Sequence, residues 1–391
     1  MNKDFVAIGV AQGDAFLVKR GDDFVALIDG GRSVAGFYTE FQRATKRDSV
    51  DVVVCTHNDA DHANGIIGFL QSGSHCKEVW LPASWADRLN DLFDPAKFAL
   101  ELVDNVAKLD DAEISDIRDP DAFFERLANG HEANNIKDAE DAVDAEKIAE
   151  RTLEEDSGDY IELSRHLLFD RHRDEWFFRM RALRTIDPRF RILVAAIAAG
   201  ERIKQIAQLA FHRGCRIRWY EYSHSKPSGG IPGKLVPVNA REVLKVKVNK
   251  SSALSYFALT IANSQSLVLC SPQDSGAPAV LFTADSDLAF PNPVPWSDGM
   301  IITAPHHGSE ANAAAYQRFL REMPNPTSTA WVRSDGRFKS RPGQSFLSLR
   351  KDKVPVFCTF CRGALRPKQN LVFTASCQSW NPVNTQLCSC S

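Results

Sequence analysis

Residues 50–65, VDVVVCTHNDADHANG, place the apolar run Val52-Val53-Val54-Cys55 directly before two histidines and two aspartates that fall within six positions, His57 to His62. The run reads as a buried strand. The polar residues then sit at its carboxyl end, and helical spacing from Ala63 onward starts a helix beneath them. A single histidine in a turn needs no ion. Four nitrogen and oxygen donors packed this closely would repel or desolvate one another unless a cation sat among them. The stretch therefore predicts metal binding by His57, Asp59, Asp61 and His62.

Outward from it, the first 85 residues read as short strands punctuated by glycine: FVAIGV, AFLVKR, FVALIDGG, VDVVVCT and KEVWLP. Helical spacing covers Phe37–Lys46 and Ala63–Gln71. From about residue 86 to about 213, Leu, Ala, Glu, Asp and Arg recur at helical intervals. Within that region DAEDAVDAEKIAERTLEED reads as a solvated helix face or flexible segment, and Trp176-Phe177-Phe178 as helix core. Strands resume at CRIRWYEYS and continue as VLKVKVN, YFALTIA, SLVLCS, AVLFTADSD and MIITAPHHGS. Two of these end on metal-compatible groups, Asp285 and the pair His306-His307. His75, His131, His166, His172, His212 and His224 have no partner at ligand spacing and read as isolated histidines. The expected organisation is a discontinuous α/β domain over 1–85 and 240–355, a largely helical insertion over 86–239, and a Cys-rich C-terminal tail over 356–391.

The 391 residues carry a formal net charge of −3, with 44% apolar and 25% charged residues, as in ordinary globular proteins. No global basic field exists to attract a polyanion, so such a substrate would need a local patch or bound metal. The N-terminal apolar stretch is too short for a signal h-region, and no apolar run reaches 18 residues. A cytoplasmic protein with no membrane partner is expected.

Five of the nine cysteines, Cys358, Cys361, Cys377, Cys388 and Cys390, follow the pattern Cys-x2-Cys-x15-Cys-x10-Cys-x-Cys. One Cys-x2-Cys knuckle with later cysteines can form a tetrahedral zinc site, but Cys-x-Cys is not the common second pair. Free thiols and disulfides are the other readings.

Taken in order, these segments resemble the metallo-β-lactamase superfamily, and more narrowly the nuclease-like domain of the ComEC/Rec2 competence proteins. The matching segments are Val10-Ala11-Gln12-Gly13-Asp14, Asp29-Gly30-Gly31, His57 to His62, Asn249-Lys250-Ser251-Ser252, Ala284-Asp285 and His306-His307-Gly308-Ser309. Several positions depart from the pattern. Asp59 stands where most members have a second His, Ala284 replaces a Gly, Asn249 lies where a middle His is usual, and Lys339-Ser340-Arg341-Pro342 stands for Gly-His-Pro. Asp59 makes the donor set harder, which suits Mn²⁺ as well as Zn²⁺.

The resemblance implies an α/β fold, the metallo-β-lactamase αββα sandwich, here with a helical insertion. It also implies two divalent metal ions (Zn²⁺ or Mn²⁺). His57 and Asp59 would hold one and Asp61 and His62 the other, with Asp285 bridging and His306 or His307 completing a shell. Asp61 would orient water and accept its proton. Asn249, Ser251, Ser252, Lys339 and Arg341 are the substrate-binding candidates, since hydroxyls, ammonium and guanidinium all donate to phosphate oxygens. Gln12 and Asp14 are placed near the site, and Asp29 as an orienting group. The implied function is a metal-dependent hydrolase, a phosphodiesterase or nuclease acting on nucleic acid or a nucleotide phosphodiester. The alternatives are a hydrolase of small esters or lactones, and a non-catalytic protein whose helical insertion docks a protein partner.

Overall fold

A computed structural model describes residues 4–21, 23–92, 95–109, 123–124, 126–128, 142–144, 188–223, 225–247, 252–261, 265–336, 338–362, 367–383 and 385–390. The chain divides into two compact units. The first comprises Met1–Ala83, His212–Val243 and Asn263–Ser391; the second comprises Ser84–Phe211 and Leu244–Ala262.

The chain opens with β1 (Asp4–Ala7), β2 (Phe16–Arg20), β3 (Phe24–Ile28), α1 (Val34–Thr45), β4 (Ser49–Val54), α2 (Ala60–Gln71) and β5 (His75–Pro82). The second unit follows with α3 (Leu89–Leu92), α4 (Pro95–Ala107), β6 (Ala142–Asp144) and α5 (Pro188–His212). The first unit resumes with β7 (Arg216–Tyr222), β8 (Val236–Pro237) and β9 (Ala240–Val243), and the second is completed by β10 (Lys245–Lys247) and α6 (Ala253–Ile261). The last stretch holds β11 (Leu269–Ser271), β12 (Val280–Phe282), β13 (Ile301–Thr303), α7 (Ala313–Glu322), β14 (Ala330–Arg333), α8 (Gln344–Ser348), β15 (Val356–Cys358), β16 (Leu371–Ala375) and β17 (Trp380–Val383).

Two sheets build the first unit, in strand orders β17-β16-β1-β2-β3-β4-β5-β7-β9 and β15-β14-β13-β12-β11-β8. Strand residues alternate between faces, so each sheet has an inner and an outer set. Phe5, Phe16, Val52, Val54 and Trp80 of the first sheet share one core with Leu269, Val280, Phe282, Ile301, Val332 and Phe357 of the second. The intervening positions of the second sheet, Cys270, Leu281, Ile302, Trp331 and Val356, instead bury Tyr316 and Phe319 of α7 and Phe346 of α8. On the other side Phe41 of α1 and Phe69 of α2 meet edge to face, with ring centroids 5.2 Å apart. The layers run helix, sheet, sheet, helix.

Four sequence expectations change, the first being that residues 244–262, expected in the discontinuous α/β domain, fall in the second unit. Residues 212–239 belong with the strands rather than the insertion, because β7 extends the first sheet beside β5, from Glu78↔Arg216 to Pro82↔Tyr220. The stretch 356–391 is no tail: β15 closes the second sheet, while β16 pairs with β1 and β17 with β16. Residues 256–261 of YFALTIA lie in helix α6, not a strand, and Phe257 packs on Phe98 of α4 at 5.4 Å. In the acidic stretch Ala142–Asp144 pairs with Lys245–Lys247 as β6 and β10. Trp176-Phe177-Phe178, His131, His166, His172 and His224 lie outside the described residues.

Candidate metal centre

In the first sheet β3, β4 and β5 run parallel, and in the second so do β12, β13 and β14. Parallel strands present their carboxyl ends at one edge, where open α/β sheets gather ligand-binding groups. Asp29 follows β3, His57 follows β4, Asp285 follows β12, His306 and His307 follow β13, and Asp335 follows β14. Thr283 ties two of these ends together, its hydroxyl donating to Thr303 O at 2.9 Å while its N–H donates to Thr303 Oγ1 at 2.9 Å.

Backbone strain concentrates here. Asp29, Ala284, His306 and His307 all hold left-handed φ, at 57°, 47°, 45° and 55°. Each such non-glycine residue costs on the order of 1–2 kcal/mol. Gly13, at φ 96°, cannot be replaced without a clash, since a Cβ there would lie 1.7 Å from Asp61 O. Its neighbour Asp14 donates its N–H to that same oxygen at 3.1 Å.

Three histidines are oriented in the same way. His62 Nδ1 lies 2.8 Å from Asp29 Oδ2, and His307 Nδ1 lies 2.9 Å from Asp14 Oδ1. His57 Nδ1 lies 3.1 Å from Thr56 Oγ1, whose own proton goes to Asp29 Oδ2 at 2.8 Å. Carboxylates and a hydroxyl oxygen that has already donated can only accept, so each Nδ1 carries a proton. In the neutral imidazole each Nε2 is then left with a lone pair. All three Nε2 atoms are buried without a hydrogen-bond partner, as are Asp285 Oδ1 and Asp14 Oδ2. Buried polar atoms are normally satisfied, so this shared deficit fits a divalent cation. A histidine whose second nitrogen is held by a carboxylate is the usual arrangement at metal sites.

Asp285 stands between the histidines. Its Oδ2 is 3.6 Å from His57 Nε2 and 3.8 Å from His306 Nε2, and its Oδ1 is 3.0 Å from His62 Nε2. Asp59 Oδ2 lies 3.7 Å from His57 Nε2, and Asp61 Oδ2 lies 3.3 Å from His307 Nε2. Two ligand sets emerge, His57 with Asp59 and Asp285, and Asp14 with His62, Asp285 and His307, the atoms of each set lying within 4.8 Å of one another. His307 is fully buried in the second set, whereas the His306 side chain is 31% exposed.

The electrostatics agree. Burial opposes charge on His57, yet Asp285 and Asp59 outweigh it and push its pKa up to about 9. Burial is likewise overcome at His307, by Asp14 and Asp285, which bring it to about 10. His62 is raised well above its ordinary value by Asp285 and Asp29. Burial would raise Asp61 and Asp285, but the imidazoles hold both below the usual carboxylate range. At Asp14 burial prevails and the pKa rises. The pocket thus concentrates negative charge that protons offset when no cation is bound.

The substrate-binding candidates separate. Arg341 Nε approaches Asp335 Oδ2 at 3.5 Å, and its guanidinium stacks on Phe338 at 4.7 Å. Its segment lies against the histidine loop through Gly343 N donating to Gly308 O at 2.7 Å. Lys339 is exposed, and its contribution is a backbone carbonyl that accepts from Arg362 at 2.7 Å. Ser252 belongs to the second unit, where its Oγ accepts from Ser255 N at 3.2 Å ahead of α6. Asn249 and Ser251 lie outside the described residues. Cys358, Cys361, Cys388 and Cys390 converge with all sulfurs within 4.8 Å, while Cys377 is exposed and outside that group.

Sequence reasoning missed Thr56, Arg333 and Asp335. Asp335 Oδ1 accepts from Gly13 N at 3.1 Å, and Arg333 donates to Asp335 Oδ2 at 2.7 Å and to His307 O at 2.6 Å. Their one available signal was a charged pair at the end of an apolar strand. A separate apolar cavity of about 440 Å³, lined by Val238, Cys270, Pro293 and Trp296 among others, includes none of the cluster residues.

The fold and the cluster define an αββα sandwich of metallo-β-lactamase type with a helical insertion. A sequence model for the metallo-beta-lactamase superfamily matches residues 8–130, a span that holds Asp14, Asp29 and His57 to His62. No curated protein matches the chain. Among the described residues no helix is long and apolar enough to cross a membrane.

Proposed function

We propose that the chain is a metal-dependent hydrolase that cleaves a phosphodiester, with nucleic acid or a nucleotide diester as its substrate class. The hydrolase reading rests on the buried Nε2 atoms of His57 and His62 facing Asp285 and of His307 facing Asp61. His57 and Asp59 would hold one divalent ion, zinc or manganese, and His62 and His307 a second, with Asp285 shared and Asp61, 3.3 Å from His307 Nε2, taking the ligand place beside it while Asp14 stays on His307 Nδ1. Such ions supply Lewis acidity and bring the ionisation of water close to neutral pH.

The chain's own groups do the rest. Asp61, kept ionised and with Gln12 Nε2 3.4 Å from its Oδ2, is positioned to accept a proton from attacking water. Asp14 and Asp29 fix the imidazoles, so the pocket needs little rearrangement during reaction. Arg341 is the cationic candidate for a phosphoryl oxygen, its Pro342-Gly343 continuation lying against the histidine loop. Support for phosphodiesters over acyl substrates comes from this arginine, the carboxylate-rich donor set and the ordered resemblance to ComEC-like nuclease domains.

The test sets bis-p-nitrophenyl phosphate, DNA and RNA against aryl esters and lactones, in Mn²⁺ and in Zn²⁺. Phosphodiester turnover is expected, and Asp61→Asn should lower it by about 10²–10⁴-fold with an unchanged unfolding midpoint. Turnover of esters or lactones alone would overturn the substrate assignment. Loss of cellular function in Asp61→Ala, with fold and partner binding intact, would exclude a purely docking role.

A further inference from the structure

The C-terminal cysteines form a second cluster that the hydrolase reading does not use. Cys358 ends β15, Cys361 follows in the same knuckle, and Cys388 and Cys390 return beside them, with Cys388 N donating to Val356 O at 2.7 Å. All four are buried and none is in a disulfide. Backbone amides aim at three of the sulfurs: Arg362 N lies 3.0 Å from Cys390 Sγ, Ser389 N 3.5 Å from Cys361 Sγ, and Cys390 N 3.4 Å from Cys388 Sγ. Such donors favour the thiolate over the thiol. Two arginines flank the group. Arg350 donates to Cys390 O at 2.7 Å and to Cys388 O at 3.3 Å. The wholly buried Arg333 faces Cys358 and donates to Phe360 O, inside the knuckle, at 3.4 Å.

We propose that Cys358, Cys361, Cys388 and Cys390 bind a structural zinc ion as a tetrathiolate, and that this anionic centre seats Arg333, which in turn positions His307 and Asp335. Four thiolates about a divalent ion leave a net double negative charge, which Arg333 and Arg350 offset. On binding, the four thiols lose their protons to solvent and no electrons move. The closed four-sulfur set leaves no open position, so the site is structural. It clasps the last residues of the chain to the edge strand β15. Arg333 carries its influence onward, because the same guanidinium bonds His307 O and Asp335 Oδ2, and Asp335 holds Gly13 N.

The experiment uses the full chain, purified without chelator, and measures zinc released by a thiol-specific mercurial. One zinc per chain should be released, and Asp61→Ala and His62→Ala should leave that amount unchanged even where they abolish hydrolysis. Cobalt(II) added in place of zinc should give an intense sulfur-to-cobalt charge-transfer band, lost in Cys361→Ser and Cys390→Ser. Should those variants fail to fold, the wild-type cobalt spectrum and the mercurial release still decide. Absence of the band with no mercurial-releasable zinc, or intact masses showing these cysteines as disulfides in freshly purified protein, overturns the zinc site. The positioning role rests on the hydrolase reading, as the zinc site does not, and for it Arg333→Gln should lower kcat with thiol-bound zinc retained, and Arg333→Lys should restore part of it. Equal kcat in all three proteins overturns that role.

Discussion

Asp29 accepts three donors on one carboxylate, the Thr56 amide, the Thr56 hydroxyl and His62 Nδ1, and through Thr56 it also sets the tautomer of His57. Asp14 does the same for His307. Removing either carboxylate, as Asp29→Ala or Asp14→Ala, should weaken metal binding by about 10–100-fold, read by competition with a chromophoric chelator. The same residues give a pH signature. In the metal-free protein His57 and His307 titrate near 9 and 10, above the ordinary 6.5. A raised folded pKa stabilises fully below the unfolded value and is lost as pH climbs through the folded one. The metal-free protein should therefore lose thermal stability between about pH 6.5 and 10, while metal affinity rises across that window as protons cease to compete. A metal-free Tm that stays flat or rises over that range would contradict the assigned interactions. Of these residues, His57 to His62 stood out in sequence because polar donors crowded after an apolar strand. Asp14 was placed near the site only through the family resemblance, and Thr56 and Asp335 did not stand out at all, because one polar residue at a strand end looks like surface until its partner from a distant segment is in place.

Helix α2 is the element that delivers His62, and Gly65, set against Gly30 and Gly31, lets it come close enough. Gly65 N donates to Gly31 O at 2.8 Å, and a Cβ on Gly65 would sit 1.8 Å from Gly30 O. Alanine is the better helix former by about 1 kcal/mol, but forcing a methyl into that contact costs about 1–3 kcal/mol and has no flexible side chain to displace. Sterics should win. Gly65→Ala is expected to lower the urea midpoint and to reduce bound metal, because the helix must lift His62 away from Asp29 and Asp285. An unchanged midpoint with full metal content would show that the helix can slide without moving its ligand. Element type was readable where periodicity differed between faces, as in α1 and in the strand before His57. It was not readable in α6, since Leu254, Ser255, Tyr256, Phe257 and Ala258 are all buried and the run has no polar face to reveal a helical period.

At the scale of the whole molecule, the chain closes on itself in a way its local patterns do not announce. The first strand, β1, is covered on its open side by β16, with Asp4 opposite Thr374 and Ala7 opposite Leu371, although these partners are separated by most of the sequence. Strand signals are local, but pairing over such a distance is set by the core, so the stretch after residue 355 registered chiefly as cysteines. What fixes it is burial. Phe373 is fully buried, with its ring 5.9 Å from Phe5 and 5.1 Å from Phe357, and so joins β16 to the inner faces of both sheets. Phe373→Ala should cost about 3–5 kcal/mol, the transfer term plus the cavity left in a core that cannot fully collapse. With a typical margin of about 5–15 kcal/mol, that is a large share of the total stability. Chemical unfolding of the purified variant measures it, and Val383→Ala on the exposed edge strand β17 serves as control, with an expected change within about 0.5 kcal/mol. If both substitutions proved equally mild, residues 356–391 would be a dispensable appendage. If only Phe373→Ala is severe, the C-terminal strands are part of the sandwich that positions the metal-binding loops.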